Sequence, residues 1–420
     1  MIKPNDLILA ENQYYSLDCY ETQVNNNVLV VGSSGSGKTR SIVSPNILQA
    51  CGSYIISDPK GNLYNKYRRY LKANGYAVRR LNFVQPENSA HYNFFHYIHS
   101  EKDILKIAHM LIYCEDRGGK TIDPFWDQAA ELLLTALIGY LYYHGNSEDQ
   151  NLDGLLRMAV ACQIDENDSS KENWLDKTME EIGRRNRNDF SYRQYCMFRL
   201  AAGRTLKSIL ITVTGKLGRF CYSELNQMMG WDNIDIPSIG KQKTALFVIV
   251  SDTDRSLDNL VNIFYTQAMN ELCLYADTMC KNNRLPVDVR FILDDFATNC
   301  LIDDFPKMIA SIRSRGISTM LMIQAESQLM AAYRDDGKTI IGNCDTYVYL
   351  GGNDVDTAEQ VARRANVALK KILEMPVGSN WIFRRGQKAV SAKNFELEAF
   401  EQEKLQQIKY DSKASVKMVS

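Results

Sequence analysis

The sequence lacks an excess of charge of either sign. Its 420 residues include 49 Lys and Arg against 50 Asp and Glu, which gives a net charge of −1. Proteins that bind nucleic acid or an anionic membrane through their bulk charge are strongly basic, so the balance excludes that mode of binding. Any contact with a polyanion must come from a local patch.

Long hydrophobic runs and paired cysteines are also missing. The longest apolar stretch, residues 132–143, has about 12 residues, whereas a membrane-spanning helix needs roughly 20. The ten cysteines include no Cys-x-x-Cys pair, and no signal peptide is visible, which favours reduced thiols over disulfides or zinc. We therefore expect a cytoplasmic chain without a membrane-spanning segment of its own.

A glycine-rich loop follows the apolar run 27–31. It reads GSSGSGKT and matches the spacing Gly-x4-Gly-Lys-Thr of a phosphate-binding loop. The predicted nucleotide-binding residues are Gly32, Ser33, Ser34, Gly35, Ser36, Gly37, Lys38 and Thr39. The glycines let backbone N–H groups converge on phosphate oxygens, Lys38 would reach the β- and γ-phosphates, and Thr39 would hold Mg²⁺. ATP and Mg²⁺ are the expected cofactors, and a glycine turn without a ligand is the alternative.

Alternating strands and helices predict the fold class. Strands are predicted at 27–31, 53–57, 77–84, 244–250, 289–293, 319–323 and 346–350, with a closing hairpin at 380–383 and 389–391. Helical segments separate them, and the first, at 41–49, is expected to be bent or delayed at Pro45. This pattern is typical of an α/β P-loop fold with a mostly parallel sheet covered by helices.

Helical periodicity dominates the middle of the chain. Behind a capped start at Asp123 and Pro124, apolar side chains recur at helical spacing through residue 141. We predict an all-α domain inserted into the nucleotide-binding domain. The predicted boundaries are 1–100 and 236–403 for the two parts of the nucleotide-binding domain, 101–235 for the insert and 404–420 for a flexible C-terminal tail.

Two carboxylates end the predicted strand 289–293, which is expected to lie beside the phosphate loop in the sheet. Asp294 is predicted to belong to the Mg²⁺ site, and Asp295 to position the attacking water as a catalytic residue. A solvated Asp-Asp turn is the alternative. Asp58 and Lys60 follow another strand and are assigned to the nucleotide neighbourhood without a specific role.

Two further catalytic candidates lie downstream of the acids. Gln324 ends the strand 319–323, where a carboxamide can contact the γ-phosphate and so sense hydrolysis. Arg313 can act as a finger that a neighbouring subunit supplies to the transferred phosphoryl group. Arg315 and Arg255 compete with it for that role.

A segment of basic and aromatic residues, 190–223, contains no acid. Its candidates for contact with DNA or another cargo are Arg193, Arg199, Arg204 and Lys207. Such a composition suits a surface that follows the backbone of single-stranded DNA. Equally, the basic side chains could pair with acids elsewhere in the protein or with the nucleotide of the next subunit.

Five segments, in their order along the chain, form a series that resembles the coupling proteins of type IV secretion and conjugation systems, the TraG/TraD group. They are GSSGSGKTRSIVSPN, SYIISDPKGNL, DPFWDQAAELLLTALI, VRFILDDF and SIRSRGISTMLMIQAESQL. These proteins are hexameric DNA-pumping ATPases related to FtsK and HerA. The resemblance implies a RecA-like domain with an all-α insert. It also implies the roles given above for Lys38, Thr39, Asp294, Arg313 and Gln324, and it places Asp295 where a catalytic Glu is usual.

The implied function is ATP-driven recruitment and translocation of single-stranded DNA, with attached relaxase, to a type IV secretion channel. Implied partners are DNA, relaxase or another secretion substrate, channel components, and further copies of the chain in a hexamer. Family members usually begin with transmembrane helices, so attachment of this chain at the inner face of the membrane would come from a separate anchoring protein or from a portion absent from this chain. An ATP-binding cargo adaptor with weak hydrolysis and a motor on duplex DNA are the alternatives. Asp295, one methylene shorter than Glu, predicts slow or partner-stimulated turnover.

Overall fold

Strands and helices alternate as the sequence predicts. The computed structural model describes residues 2–113, 124–162, 172–200, 203–298 and 300–406, apart from the side chains of Pro124 and Arg204. The strands are β1 (Asp6–Ala10), β2 (Gln13–Ser16), β3 (Val28–Val31), β4 (Ser53–Ser57), β5 (Ala77–Asn82), β6 (Thr244–Ile249), β7 (Val289–Leu293), β8 (Ile317–Ile323), β9 (Thr346–Tyr349), β10 (Ser379–Arg384) and β11 (Val390–Lys393). The helices are α1 (Cys19–Thr22), α2 (Ser44–Leu48), α3 (Asn62–Ala73), α4 (Glu101–Tyr113), α5 (Pro124–His144), α6 (Leu152–Ala161), α7 (Trp174–Arg185), α8 (Phe190–Phe198), α9 (Gly203–Gly218), α10 (Ser223–Met228), α11 (Ile236–Lys241), α12 (Asp258–Met279), α13 (Phe305–Met308), α14 (Glu326–Tyr333), α15 (Gly337–Gly342), α16 (Val355–Ala365) and α17 (Leu369–Leu373).

A nine-stranded sheet runs in the order β11-β10-β9-β3-β8-β7-β4-β6-β5. From β9 to β6 in this order each strand is parallel to its neighbour, whereas β10 is antiparallel to both β9 and β11. Strands β3 and β7 are buried along their whole length, which explains why they appear in the sequence as continuous apolar runs. The predicted α/β class with a mostly parallel sheet is confirmed, as is the closing hairpin, β10–β11.

The helix after the glycine loop begins with a wide turn. A π-helix spans Thr39–Val43, and the Ser44 N–H donates to the Thr39 carbonyl. Helix α2 follows directly, with Pro45 in its first turn. Because Pro45 has no N–H, the α-helical bond to the Ser41 carbonyl cannot form at this point. The helical segment therefore starts at Thr39 and changes from π-helical to α-helical geometry directly before Pro45.

Packing divides the chain into two compact units. The first comprises Met1–Arg80, Asp235–Thr253 and Ala268–Ser420, and the second comprises Leu81–Ile234 and Asp254–Gln267. The second unit contains helices α4 to α10, starts earlier than the predicted insert 101–235, and includes the first residues of α12. Of the predicted tail 404–420, residues 404–406 are helical and the rest lies outside the described residues.

Helix α5 buries most of the apolar stripe that the sequence predicts, whereas Trp126, Leu132 and Tyr140 of that stripe are half-buried. Ala129, Leu133, Ala136, Leu137 and Leu141 are all buried, and so are Ala130, Leu134 and Ile138, so the buried face is wider than expected. The predicted cap, Asp123, lies outside the described residues. Across the described ranges, no helix is both long and apolar enough to span a bilayer.

Candidate nucleotide site

The glycine loop lies at the carboxyl edge of the parallel sheet, where β3 ends. The Gly32 N–H donates to the Ile323 carbonyl at the end of β8, with an N···O distance of 3.1 Å. On the other side, the Ser33 N–H donates to the Gly351 carbonyl beyond β9 at 2.9 Å. Both neighbouring strands therefore fix the start of the loop.

The shape of the loop requires its three glycines. A Cβ at Gly32 would lie 2.5 Å from Ser36 Oγ and 2.9 Å from Leu350 Cβ, closer than real Cβ atoms approach. Gly35 and Gly37 have φ angles of 77° and 91°, in the left-handed region that side chains disfavour. The spacing in the sequence thus reflects a backbone that other residues cannot adopt without strain.

The two predicted halves of the site meet directly. Thr39 Oγ1 donates to Asp294 Oδ2 at 2.9 Å, although the two residues lie 255 positions apart in the chain. The strand that carries Asp294, β7, was expected beside the phosphate loop, but β8 lies between β7 and β3. The adjacency predicted for the strand is wrong, yet the side chains still come together because parallel strands end at the same edge.

Asp294 and Asp295 form a strained acidic turn. Burial raises the pKa of Asp294 and the charge of Asp295 raises it further, while the hydrogen bond from Thr39 and the charge of Lys38 lower it. The φ angle of Asp295 is 49°, and its N–H donates to Asp294 Oδ1 at 3.1 Å. A non-glycine residue in this conformation is often found at functional sites. Carboxylate and hydroxyl oxygens are also the ligands that Mg²⁺ prefers.

Lys38 lies folded against its own loop. Its Nζ donates to the Gly32 carbonyl at 2.6 Å and to the Ser33 carbonyl at 3.2 Å. Burial lowers the pKa of Lys38, and the charges of Asp295 and Asp294 oppose that shift. The ammonium is thus held within the electrostatic reach of both acids.

Three further residues define the surroundings of the loop. Ser36 Oγ is buried and, among the described residues, has no hydrogen-bond partner. The Ser36 carbonyl lies 3.5 Å from Asn394 Nδ2, a residue that no motif in the sequence identifies. Asp58 is 2% exposed and accepts from the Tyr64 N–H at 2.8 Å, so it stabilises the start of α3. Burial raises the pKa of Asp58, and the charge of Asp294 contributes to that rise.

Gln324 and Arg313 lie at opposite ends of β8. Gln324 directly follows Ile323, whose carbonyl contacts the loop, and its own N–H donates to Gln328 Oε1 at 2.8 Å. Arg313 precedes the strand, and its Nη2 donates to the Cys19 carbonyl at 3.2 Å. A strand of this length separates Arg313 from the loop of its own chain by about 20 Å. An arginine side chain cannot cross that distance.

The competing arginines are both engaged in ion pairs. Arg315 makes two hydrogen bonds to the Asp277 carboxylate, at 2.8 and 2.7 Å. Arg255 Nε lies 3.0 Å from Asp258 Oδ2. Arg313, bonded to a single carbonyl, is the better candidate for a finger.

The cargo candidates lie on α8 and α9, in the second unit. Arg199 Nε lies 3.0 Å from Asp176 Oδ1, and the Asp176 side chain is only 7% exposed. Arg199 therefore neutralises a buried acid of the same unit, which favours the alternative of internal pairing for this residue. Arg193 is exposed and Lys207 is half-buried, while the side chain of Arg204 lies outside the described residues.

Comparison with known proteins places this geometry in a family. Residues 5–365 match the family described as Type IV secretory system Conjugative DNA transfer. TraG of Rhizobium radiobacter is 21% identical over 345 residues, which cover 80% of this chain and 51% of that protein. VirD4 of Agrobacterium fabrum is 22% identical over 346 residues, which cover 80% and 48%. The chain thus spans about half the length of these relatives.

Solved structures show the same fold. The plasmid coupling protein TrwB, in complex with the non-hydrolysable ATP analogue ADPNP, superposes with a TM-score of 0.62 at 15% identity. The superposition covers 88% of this chain and 85% of that one. This similarity confirms the predicted RecA-like α/β fold class, and the match over residues 5–365 confirms the resemblance drawn from the motifs. The chain belongs to the type IV secretory system family of conjugative DNA transfer proteins.

Proposed function

We propose that this chain is an ATP-driven coupling protein that recruits single-stranded DNA, with attached relaxase, and translocates it to a type IV secretion channel. The observation that carries the proposal is the hydrogen bond between Thr39 and Asp294, because it joins a phosphate-binding loop to a carboxylate at a strand end. Family membership supports the substrate class.

The residues of the site suit ATP and Mg²⁺. The loop N–H groups, Lys38 and the unpartnered Ser36 hydroxyl would hold the phosphates, while Thr39 and Asp294 would hold Mg²⁺. TrwB has been solved in complex with ADPNP and with ADP and Mg²⁺, which supports this choice. When bound, Mg²⁺ neutralises charge on the phosphate oxygens.

The other catalytic residues would divide the remaining tasks. Asp295 would orient the attacking water and accept its proton, from a side chain one methylene shorter than Glu. Gln324, beside the loop, would contact the γ-phosphate. Arg313 would stabilise the charge that develops on the transferred group, in the site of a neighbouring subunit.

The position of Arg313 supports a homo-oligomer, a hexamer when active, because each site would be complete only with a second copy. We further infer that the helical unit, corresponding to the predicted insert 101–235, meets the relaxase–DNA cargo. Channel components would hold the ring at the inner face of the membrane.

We expect slow ATP hydrolysis by the purified chain and at least about tenfold faster hydrolysis with single-stranded DNA. Lys38→Ala is expected to lower the stimulated rate about a thousandfold, since it removes the cation that contacts the phosphates. Phosphate release measured with single strands and with duplexes of the same sequence would test both expectations. Lys72→Ala, an exposed lysine on α3, is the matched control and should keep the rate.

Two other results of this experiment would favour the two alternative functions. A chain that binds ATP but never hydrolyses it, with either DNA, would favour the cargo adaptor, for which the shortened acid Asp295 is the supporting observation. Stimulation by duplex DNA alone would favour a motor on duplexes.

The charge reversal Arg193→Glu/Lys207→Glu is expected to weaken binding of single-stranded DNA about tenfold. Losing two phosphate contacts should also reduce the slope of log affinity against log salt by about 1.4. Fluorescence anisotropy of a labelled oligonucleotide over a series of salt concentrations measures both quantities. Arg184→Glu/Arg185→Glu on α7 makes the same change in net charge at two exposed positions. Equal slopes for the two double variants would remove α8 and α9 from the DNA surface.

A further inference from the structure

A cleft of about 290 Å³ opens at the amino edge of the parallel sheet, the edge opposite the glycine loop. The residues before β4, the amino ends of β7 and β8, and the segment around α1 line it. None of the residues assigned to the nucleotide site lines this cleft. It is therefore a separate feature of the first unit.

Arg290, the second residue of β7, lines the cleft from a buried position. It is 7% exposed, and its Nε donates to Ser318 Oγ on the neighbouring strand at 3.3 Å. Within the described part of the chain, no carboxylate lies at ion-pair distance from Arg290, although burial lowers its pKa and Asp288 opposes that shift. An arginine keeps its charge in a protein, and a buried charge without a counter-ion is strongly unfavourable. Within the described residues, Arg290 is thus a buried cation without an ion-pair partner.

The two acids of the cleft are already engaged. One terminal nitrogen of Arg284 donates to both oxygens of Asp288, at 2.7 Å each. Asp18 accepts from the Tyr20 N–H at 2.8 Å and from the Glu21 N–H at 3.3 Å, which caps α1. Neither carboxylate lies at ion-pair distance from Arg290, although the charge of Asp288 is near enough to oppose the lowering of its pKa. Among the described residues, no anion contacts the Arg290 guanidinium directly, so a bound anion could fill that position.

We propose that this cleft is a second anion site, which binds the phosphate or carboxylate group of a small ligand. Arg290 would provide the planar fork of N–H donors that matches such an oxyanion, with the Ser318 hydroxyl beside it. Arg284 also lines the cleft, with its guanidinium 6.0 Å from the ring of the exposed Tyr20, and its charge balances that of Asp288, the acid nearest to Arg290 in the sequence.

The cleft also adjoins the segment that holds Arg313, the proposed arginine finger. Cys19 lines the cleft, and its carbonyl accepts the hydrogen bond from Arg313. An anion in the cleft would lie next to the segment that holds Arg313. The site itself is independent of the proposed ATPase, since its binding can be measured without turnover.

Thermal unfolding of the Lys38→Ala chain tests the site, because this background weakens anion binding by the glycine loop. The melting temperature is expected to rise with sodium phosphate or sodium acetate relative to sodium chloride at the same ionic strength. The salt that gives the larger rise in melting temperature indicates whether the site prefers a phosphate or a carboxylate group. Adding Arg290→Met should reduce that rise to the general stabilisation that these salts give any fold, and it should raise the melting temperature in chloride, since a buried charge without an ion-pair partner among the described residues is replaced by a side chain of similar length.

Identical melting in the three salts, or a rise that is as large with Arg290→Met as without it, would overturn the proposal. A lower melting temperature of Arg290→Met in chloride would also contradict it, because the arginine would then be satisfied within the fold. Should that variant fail to fold, the phosphorus NMR signal of inorganic phosphate provides a second measurement. Broadening by Lys38→Ala that is lost in Lys38→Ala/Arg284→Gln supports the site, and unchanged broadening opposes it.

Discussion

Mixing two inactive variants, Lys38→Ala and Arg313→Ala, is expected to restore ATP hydrolysis. Each alone should lose about a thousandfold in rate, one through its phosphate contact and the other through its finger. The two residues lie at opposite edges of the sheet, with β8 between them, so a complete site must take them from different copies. In a randomly mixed ring about one interface in four combines an intact loop with an intact finger. Phosphate release by the mixture should therefore approach a quarter of the wild-type rate.

The neighbouring arginine provides the matched control for this experiment. Arg315→Ala removes the same charge two residues away, but it breaks the bonds to Asp277 and should lower stability rather than turnover. A mixture of Lys38→Ala and Arg313→Ala that stays inactive, while Arg315→Ala behaves as the finger variant should, would transfer the role to Arg315. Full activity of Arg313→Ala by itself would mean that no finger acts from this position.

The sequence predicts the strands of the sheet well because each central strand is an apolar run followed by a residue type that marks the end of the strand. Gly32 directly follows β3, and Asp294 directly follows β7. Local patterns do not encode the order of strands, however, since any buried apolar run can pair with any other. This is why the position of β8 between β3 and β7 could not be predicted, although both ends of the Thr39–Asp294 contact were.

The sequence also does not show which distant residue a given side chain contacts. The sequence shows that Arg199 is basic but not that Asp176, on a different helix, is buried against it. Likewise, nothing around Cys19 indicates that its carbonyl would hold Arg313, because any residue offers the same backbone oxygen. Residue types at strand ends therefore predict which chemistry the site could perform, whereas the structure is needed to distinguish a charge that is paired within the fold from one that is not.

Asp294→Asn is expected to abolish hydrolysis and, at the same time, to stabilise the fold by about 1 kcal/mol, a common gain at a destabilised functional site. Burial and the charge of Asp295 both raise the pKa of Asp294, so the ionised carboxylate is disfavoured in the folded chain. Asparagine keeps an oxygen that can accept from Thr39 but carries no charge. Thermal unfolding without nucleotide, beside phosphate release with ATP, measures the two effects separately.

The stability gained through Asp294→Asn should depend on pH. A carboxyl whose pKa is raised on folding binds its proton more tightly in the folded state, so its ionisation opposes folding. The advantage of Asp294→Asn should therefore be full at neutral pH and vanish below about pH 4, where the carboxyl is protonated in both states. Asp277→Asn, the same chemical change at a carboxylate paired with Arg315, should instead lower stability at neutral pH. If Asp294→Asn melts at a lower temperature than the wild type, the Asp294 carboxylate stabilises the fold. The view that the fold keeps this carboxylate for metal binding at a cost in stability would then be wrong.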